Sequence, residues 1–361
     1  MRPDLILQTL RCAGYEAWYV GGCVRDTLLG RPIHDWDITT SALPEQVMEC
    51  FSHCVPTGIR HGTVTVLTEQ GQAEVTTYRT DGDYPDGRHP AQVTFVRNLA
   101  EDLARRDFTV NAMAMDEKGN IVDLYGGRED LQKKVLRCVG DPEKRFREDA
   151  LRMLRAIRFS AQLDFSIEER TQYAINDLGH LCCGLSAERI RDEIEKTLLS
   201  AYPERVQAMA ELGLPETFGL NPEGDYQWLA TLPCDRVTRW AGLCRIQPEL
   251  NLTNLRLDKQ TAQDAMIAGR LAFPKDRLGW KHLMAEHGTR RAAITAALAG
   301  ECEQVEEILA SGECVSMKEL AVSGKDFPEL HGKELGEHLQ SLLYHVLSQP
   351  LDNQKEILKK F

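Results

Sequence analysis

The sequence predicts an α+β fold, with strands gathered in roughly the first 140 of its 361 residues and helices in the remainder. Three observations carry this. Short alternating apolar runs punctuated by glycine fill the chain up to about Gly140. Beyond that point the beta pattern stops and apolar residues recur at helical spacing. Two carboxylates at D-x-D spacing, Asp35 and Asp37, sit in one of the early apolar runs. The apolar fraction of 42% and charged fraction of 27% are those of an ordinary globular protein, so a chain of this length predicts two to four domains. The expected divisions are residues 1–140, 141–200, 201–286 and 287–361.

In chain order, Asp4 to Cys12 has helical spacing at Leu5, Ile6, Thr9 and Leu10, and Gly14 stops it. Trp18 to Val20 is the first strand. It runs into Gly21-Gly22, a helix-like piece with Arg25 and Asp26, and a second strand holding Asp35-Trp36-Asp37. Pro44 to Phe51 is a second helix, with Ser41 as its expected N-cap. Thr63 to Leu67 and Glu74 to Tyr78 are alternating strands about a turn at Gly71. Asp81 to Pro90 holds two glycines, two prolines and three aspartates in ten residues and reads as a surface loop. Asp102 to Met113 contains Arg105-Arg106-Asp107 ahead of a β-rich run, and Ile121 to Leu124 is a further strand. Glu148 to Phe159 is a strong helix, and helices continue through Arg170 to Leu199. Mixed helix and turn reaches about Glu286, with Trp228, Trp240 and Trp280 read as core, and a helical block closes the chain.

The chemistry concentrates between Tyr19 and Thr40. Side chains on a strand repeat every second residue, so Asp35 and Asp37 are expected on one face. Such a pair repels itself unless a cation lies between its members. Oxygen ligands in small number suit Mg²⁺, which takes one or two carboxylates and completes its shell with water and substrate phosphates. Paired glycines upstream let backbone N–H groups approach a phosphate, and Arg25 adds a forked donor. In the helix from Glu148, Asp149 and Arg152 are expected one turn apart on one face. A carboxylate there accepts from an exocyclic amine and a guanidinium donates to a ring nitrogen. Together they match the pairing edges of cytosine and adenine and refuse those of uracil and guanine.

These motifs, in this order, resemble the signature of the class II tRNA nucleotidyltransferases, the CCA-adding enzymes and bacterial poly(A) polymerases of the DNA polymerase β superfamily. The resemblance runs from about residue 15 to 200, and more faintly through Met317 to Gly336. It implies a polymerase β-like head with a small mixed sheet, followed by an all-α neck, body and tail. It implies template-independent addition of CCA to the 3′ end of tRNA from CTP and ATP, with two Mg²⁺ held by Asp35 and Asp37. Gly22, Arg25, Arg106 and Asp107 would seat the nucleotide's phosphates and sugar, and Asp149 and Arg152 would choose its base. Arg155 and Arg158 would add nucleotide or phosphate contacts. The loop from Asp81 to Pro90 matches one that CCA-adding relatives use in switching from CTP to ATP. Glu74 is either a third carboxylate of the site or an exposed strand residue. Ser323-Gly324-Lys325 is either a phosphate-holding turn or a helix terminus. A CC-only or A-only enzyme, a poly(A) polymerase, and a non-catalytic RNA-binding protein on the same fold stand as alternatives, although the last would be expected to lose Asp35 or Asp37.

The net charge of −12 argues against indiscriminate polyanion binding. From Arg128 to Arg158, however, ten Lys or Arg face six Asp or Glu, a local balance of +4 where RNA is expected. The eleven cysteines include no C-x-x-C, so free thiols and no disulfides are expected. Cys50, His53 and Cys54 lack the second pair that a zinc site needs. No apolar run is long enough to span a membrane and the first ten residues do not read as a signal peptide, so a cytoplasmic setting is expected.

Overall fold

In the computed structural model, which describes residues 3–68, 71–81 and 93–361, the chain divides into two compact units. The first comprises Met1–Thr197 with Ala208–Leu214, and the second Leu198–Gln207 with Pro215–Phe361. The expected loop from Asp81 to Pro90 falls outside the described residues beyond Asp81.

The first unit is built on a mixed sheet. Its strands are β1 (Ala17–Val20), β2 (Asp37–Thr40), β3 (Cys54–Gly58), β4 (Thr63–Thr68), β5 (Gly71–Thr77), β8 (Met113–Met115) and β9 (Ile121–Asp123), in the order β3-β4-β5-β2-β1-β8-β9. The remaining strands form two-stranded pairs, β6 (Arg79–Asp81) with β7 (Val93–Phe95) and β10 (Val135–Leu136) with β11 (Ser166–Ile167). β2 runs antiparallel to β1, pairing Tyr19 with Ile38, and parallel to β5, pairing Asp37 with Glu74. Tyr19, Ile38, Val64 and Val75 are fully or almost fully buried in its core. Gly71 opens β5, paired with Thr68, so it is part of the ladder and not the apex of a turn. β3 carries Pro56, which removes a ladder donor and hides the strand in the sequence; it is tolerated because β3 lies at the edge.

Helices α1 (Asp4–Cys12), α2 (Gly22–Leu28), α3 (Pro44–Cys50), α4 (Leu99–Ala104) and α5 (Gly127–Lys133) surround the sheet sequence. α1 matches the expected span and buries Ile6, Leu7 and Leu10. α3 begins at Pro44 as expected, but its N-cap is Leu43, whose backbone N–H donates to Gln46 Oε1 at 2.9 Å. Ser41 is drawn back to β1, where its hydroxyl accepts from the Glu16 N–H at 2.9 Å. The expected single helix from Glu148 is two helices, α6 (Pro142–Glu148) and α7 (Leu151–Leu163), separated by Asp149 in an extended conformation. Asp149 Oδ1 accepts from the Leu151 N–H at 3.1 Å, so the aspartate starts a helix in preference to lying within one. α8 (Glu169–Leu178) and α9 (Ala187–Leu198) follow.

The second unit is helical. Arg236–Ile246, Lys259–Arg270, Arg277–His287 and Thr289–Ala299 pack on one another, with Trp240 and Trp280 fully buried. A separate apolar cluster gathers Phe327, Leu342, Leu343 and Val346 around the helix Gly332–Ser348. At the turn before it the Ser323 N–H donates to Asp326 Oδ2 at 3.0 Å, so a side chain of the same turn accepts the bond that a phosphate would have taken.

Gly127 marks a tight approach between α5 and the segment ahead of β8. A Cβ there would lie 2.3 Å from the Thr109 carbonyl oxygen and 2.9 Å from Met113 Cγ. Gly127→Ala is therefore expected to destabilise the first unit by about 1–3 kcal/mol, read as a lowered unfolding midpoint in urea with unchanged m-value.

Candidate active site

A cavity of about 470 Å³ opens in the first unit where the end of β1, the start of α2 and the segment leading into β2 meet α7 and α9. Gly21 makes the entry to α2. Its φ of +75° lies in the left-handed region, and a Cβ would stand 3.1 Å from Arg106 Nη1 and 3.6 Å from Asp37 Oδ2. A larger residue would be strained and would crowd the two charges. Gly22 also lines the cavity, but a Cβ there would make only an ordinary 3.6 Å contact with Arg25.

Asp35 and Asp37 both line the cavity. Asp37 is the first residue of β2, whereas Asp35 precedes the strand, so the pair is brought together by the approach to the strand and not by a shared pleat. Burial pushes the Asp37 carboxyl up to about 6, countered by Arg106 and reinforced by the negative charges of Glu74 and Asp35. Glu74 is exposed and stands opposite Asp37 in the ladder.

Four arginines line the cavity with these acids. Arg25 is held bidentately by Asp26 at 3.0 and 2.8 Å and donates to Asn111 Oδ1 at 2.8 Å. Arg106 donates to Asp102 Oδ2 at 3.2 Å, while its buried Nε has no partner among the described residues. Asp102 is fully buried and also receives Arg105 and the Thr39 hydroxyl; burial opposes its ionisation, but the two arginines hold its carboxyl below the usual range. Arg155 donates twice to Asp107 Oδ2, at 2.8 and 2.6 Å. Asp107 Oδ1 accepts from Asn111 Nδ2 at 3.2 Å, and Arg155 overrides burial to keep this acid ionised. Arg158 pairs with Glu193 and donates to Gln162 Oε1 at 2.8 Å.

Eight of the ten residues expected from the sequence thus share one cavity: Gly22, Arg25, Asp35, Asp37, Arg106, Asp107, Arg155 and Arg158. Asp149 and Arg152 do not line it, and they do not lie side by side on one helical face. Asp149 Oδ2 accepts from Arg189 Nη2 at 2.8 Å. Arg152 donates to Glu148 Oε2 at 2.8 Å and to the Arg145 and Arg105 carbonyls at 3.2 Å each. The break at Asp149 removes the constant 100° step on which their expected alignment depended.

Cys23, Asn111, Phe159 and Lys196 line the cavity without having been singled out. Asn111 carried a signal, four residues after Asp107 and within the same motif; the others did not. No group of three or more His, Cys, Asp or Glu suited to a metal is assembled among the described residues. The neighbouring carboxylates Asp35 and Asp37 nevertheless fit an ion such as Mg²⁺, which needs few protein ligands when substrate phosphates complete its shell.

A glycine-entered helix, a carboxylate pair at the head of a sheet strand and an arginine-lined cavity define a nucleotidyltransferase head. The sequence profile described as "Poly A polymerase head domain" matches residues 17–137, and that described as "Probable RNA and SrmB- binding site of polymerase A" matches residues 164–224. The chain is 41% identical to the CCA-adding enzyme of Geobacillus stearothermophilus over 97% of its own length and 93% of that protein's. It is 39% identical to the CCA-adding enzyme of Enterococcus faecalis over 99% and 94% of the two lengths. The crystal structure of the Bacillus stearothermophilus CCA-adding enzyme in complex with CTP superposes with a TM-score of 0.85 and 37% identity, covering 100% of this chain and 97% of that one. The chain belongs to the bacterial CCA-adding enzymes, the tRNA nucleotidyltransferases that add CCA to the 3′ end of tRNA. The polymerase β-like family to which their heads belong generally uses divalent metal ions.

The displaced Asp37 has a measurable consequence. Its folded pKa of about 6 lies above the ordinary 3.8, so the fold loses stability as pH rises from about 3.8 to about 6; the loss is absent below that window and complete above it. Asp37→Asn is expected to raise the melting temperature of the metal-free protein at pH 8, by the equivalent of about 1–3 kcal/mol, with the gain fading towards pH 4. A gain independent of pH would contradict the burial argument.

Proposed function

We propose that this enzyme extends tRNA 3′ ends by C, C and A in turn, taking CTP and then ATP, with Asp35 and Asp37 as its metal-holding residues. The observation that carries the reading is the convergence of these two acids and the arginines Arg25, Arg106, Arg155 and Arg158 on one cavity. A triphosphate needs both sides: carboxylates for its metal ions and guanidinium forks for its oxygens.

Mg²⁺ held by Asp35 and Asp37 would lower the pKa of the primer hydroxyl and stabilise the charge on departing pyrophosphate. Gly21 and Gly22 let backbone N–H groups reach a phosphate at the start of α2. Arg25 and Arg106, each anchored by an acid behind it, present their remaining N–H groups to the triphosphate without having to reorganise. Asp107 and Asn111 hold Arg155 and Arg25 in one chain of hydrogen bonds, which fixes the spacing between α2 and α7. No side chain is required as a dedicated general base.

Asp149 and Arg152, which do not line the cavity but stand just ahead of its Arg155 and Arg158 in the chain, are proposed to read the base. Arg189 orients Asp149, whose carboxylate oxygens each keep acceptor capacity for an exocyclic amine, and Glu148 orients Arg152. The use of CTP draws support from the 37%-identical relative solved with it. The helical tail, residues 287–361, is proposed to bind the tRNA. A cytoplasmic setting agrees with the free state of all eleven cysteines and with the lack, among the described residues, of any helix long and apolar enough to cross a membrane.

The test is incubation with tRNA transcripts lacking CCA, lacking only the terminal A, or complete, with CTP and ATP offered separately and together. Both nucleotides are expected to enter the first, ATP alone the second, and neither the third. Asp35→Ala is expected to reduce incorporation at least 10³-fold while tRNA binding, read by filter retention, changes less than threefold. Parallel loss of binding would make the acid pair structural, and ATP entering complete tRNA repeatedly would identify a poly(A) polymerase.

A further inference from the structure

Phe159 lies in α7 with 6% of its surface exposed, and its ring forms part of the cavity wall. Three guanidiniums converge on it. Arg158 Cζ lies 3.9 Å from the ring centroid, and Arg25 Cζ and Arg155 Cζ each lie 5.2 Å from it. On its other contacts Phe159 packs edge-on against the fully buried Phe108, at 5.9 Å and 81°. An aromatic face carries negative charge density and attracts a cation within about 6 Å of its centroid. An aliphatic side chain in the same place would offer the three guanidiniums no such attraction.

We propose that Phe159 is a positioning residue for the nucleotide: its ring gathers Arg25, Arg155 and Arg158 and aims their forks into the cavity. Each guanidinium is neutralised by its own acid, Asp26, Asp107 or Glu193. Those acids sit on α2, ahead of the short turn before β8, and on α9, so they pull the three arginines towards different elements. The ring is a contact that all three share. It holds them in register without taking up the N–H groups that a phosphate needs. This role rests on the reading that the cavity takes a nucleoside triphosphate, and it predicts that ring electronics, and not only ring volume, set affinity for CTP.

The experiment replaces Phe159 with mono-, di- and trifluorinated phenylalanine, which keep the ring's shape while progressively draining its face of charge density, and with leucine. Each variant is assayed for CTP addition to tRNA lacking CCA, with melting temperature as the control on folding. The KM for CTP is expected to climb with each fluorine, reaching roughly threefold to thirtyfold in Phe159→Leu, while kcat changes less than twofold. A KM that stays flat across the fluorinated series overturns the proposal, whether or not the leucine variant folds. Wild-type enzyme separates this failure from that of the function: absence of CTP transfer by wild type would contradict the function itself, whereas transfer by wild type with a flat series contradicts only the role of Phe159.

Discussion

An ionisable carboxylate held out of water beside two others of its own sign is the constraint on which the site depends. Asp37 occupies the first position of β2, where the ladder to β5 sets Glu74 opposite it and the incoming chain brings Asp35 alongside. Left alone, that arrangement disfavours the charge the chemistry needs, and the carboxyl shifts up to about 6. The sheet tolerates it because β2 is locked on both sides, antiparallel to β1 and parallel to β5. Ground-state repulsion of this kind is relieved when a cation arrives, which is why these acids suit the metal-holding role proposed for them.

The positive half of the site is arranged in the opposite way. Every arginine at the cavity has an acid behind it, so none enters as an unpaired buried charge, a state that would cost several kcal/mol. The hydrogen-bonded chain from Asp26 through Arg25, Asn111 and Asp107 to Arg155 ties α2, the segment before β8 and α7 together. Sheet and helix positions are thereby coupled through polar contacts at the site, and a change at Asn111 would be felt at both Arg25 and Arg155.

Much of this was legible in the sequence because local rules sufficed. The span of α1 and the start of α3 at a proline followed from periodicity and proline chemistry; Gly22, Arg25, Asp35 and Asp37 followed from the chemistry of their motif, and Arg106, Asp107, Arg155 and Arg158 came with the family resemblance. What escaped depended on partners distant in the chain. Asp149 reads as helical by spacing, yet aspartate prefers to cap, and Arg189, forty positions on, holds its carboxylate. Ser41 reads as an N-cap, yet the adjacent strand takes its hydroxyl. β3 was hidden by Pro56, since only the finished sheet reveals which strand is an edge. Phe159 looked like any apolar residue of an amphipathic helix until the three arginines around its ring came into view.

The central claim, that Asp37 must be ionised to hold a divalent ion in this cavity, is tested most directly by Mn²⁺ binding in the presence of CTP, followed by electron paramagnetic resonance from pH 5 to pH 8 in wild type and Asp37→Asn. Wild type is predicted to bind more tightly than the variant at pH 8, with the difference shrinking as the pH falls through about 6. Equal affinity in the two proteins at every pH would contradict it.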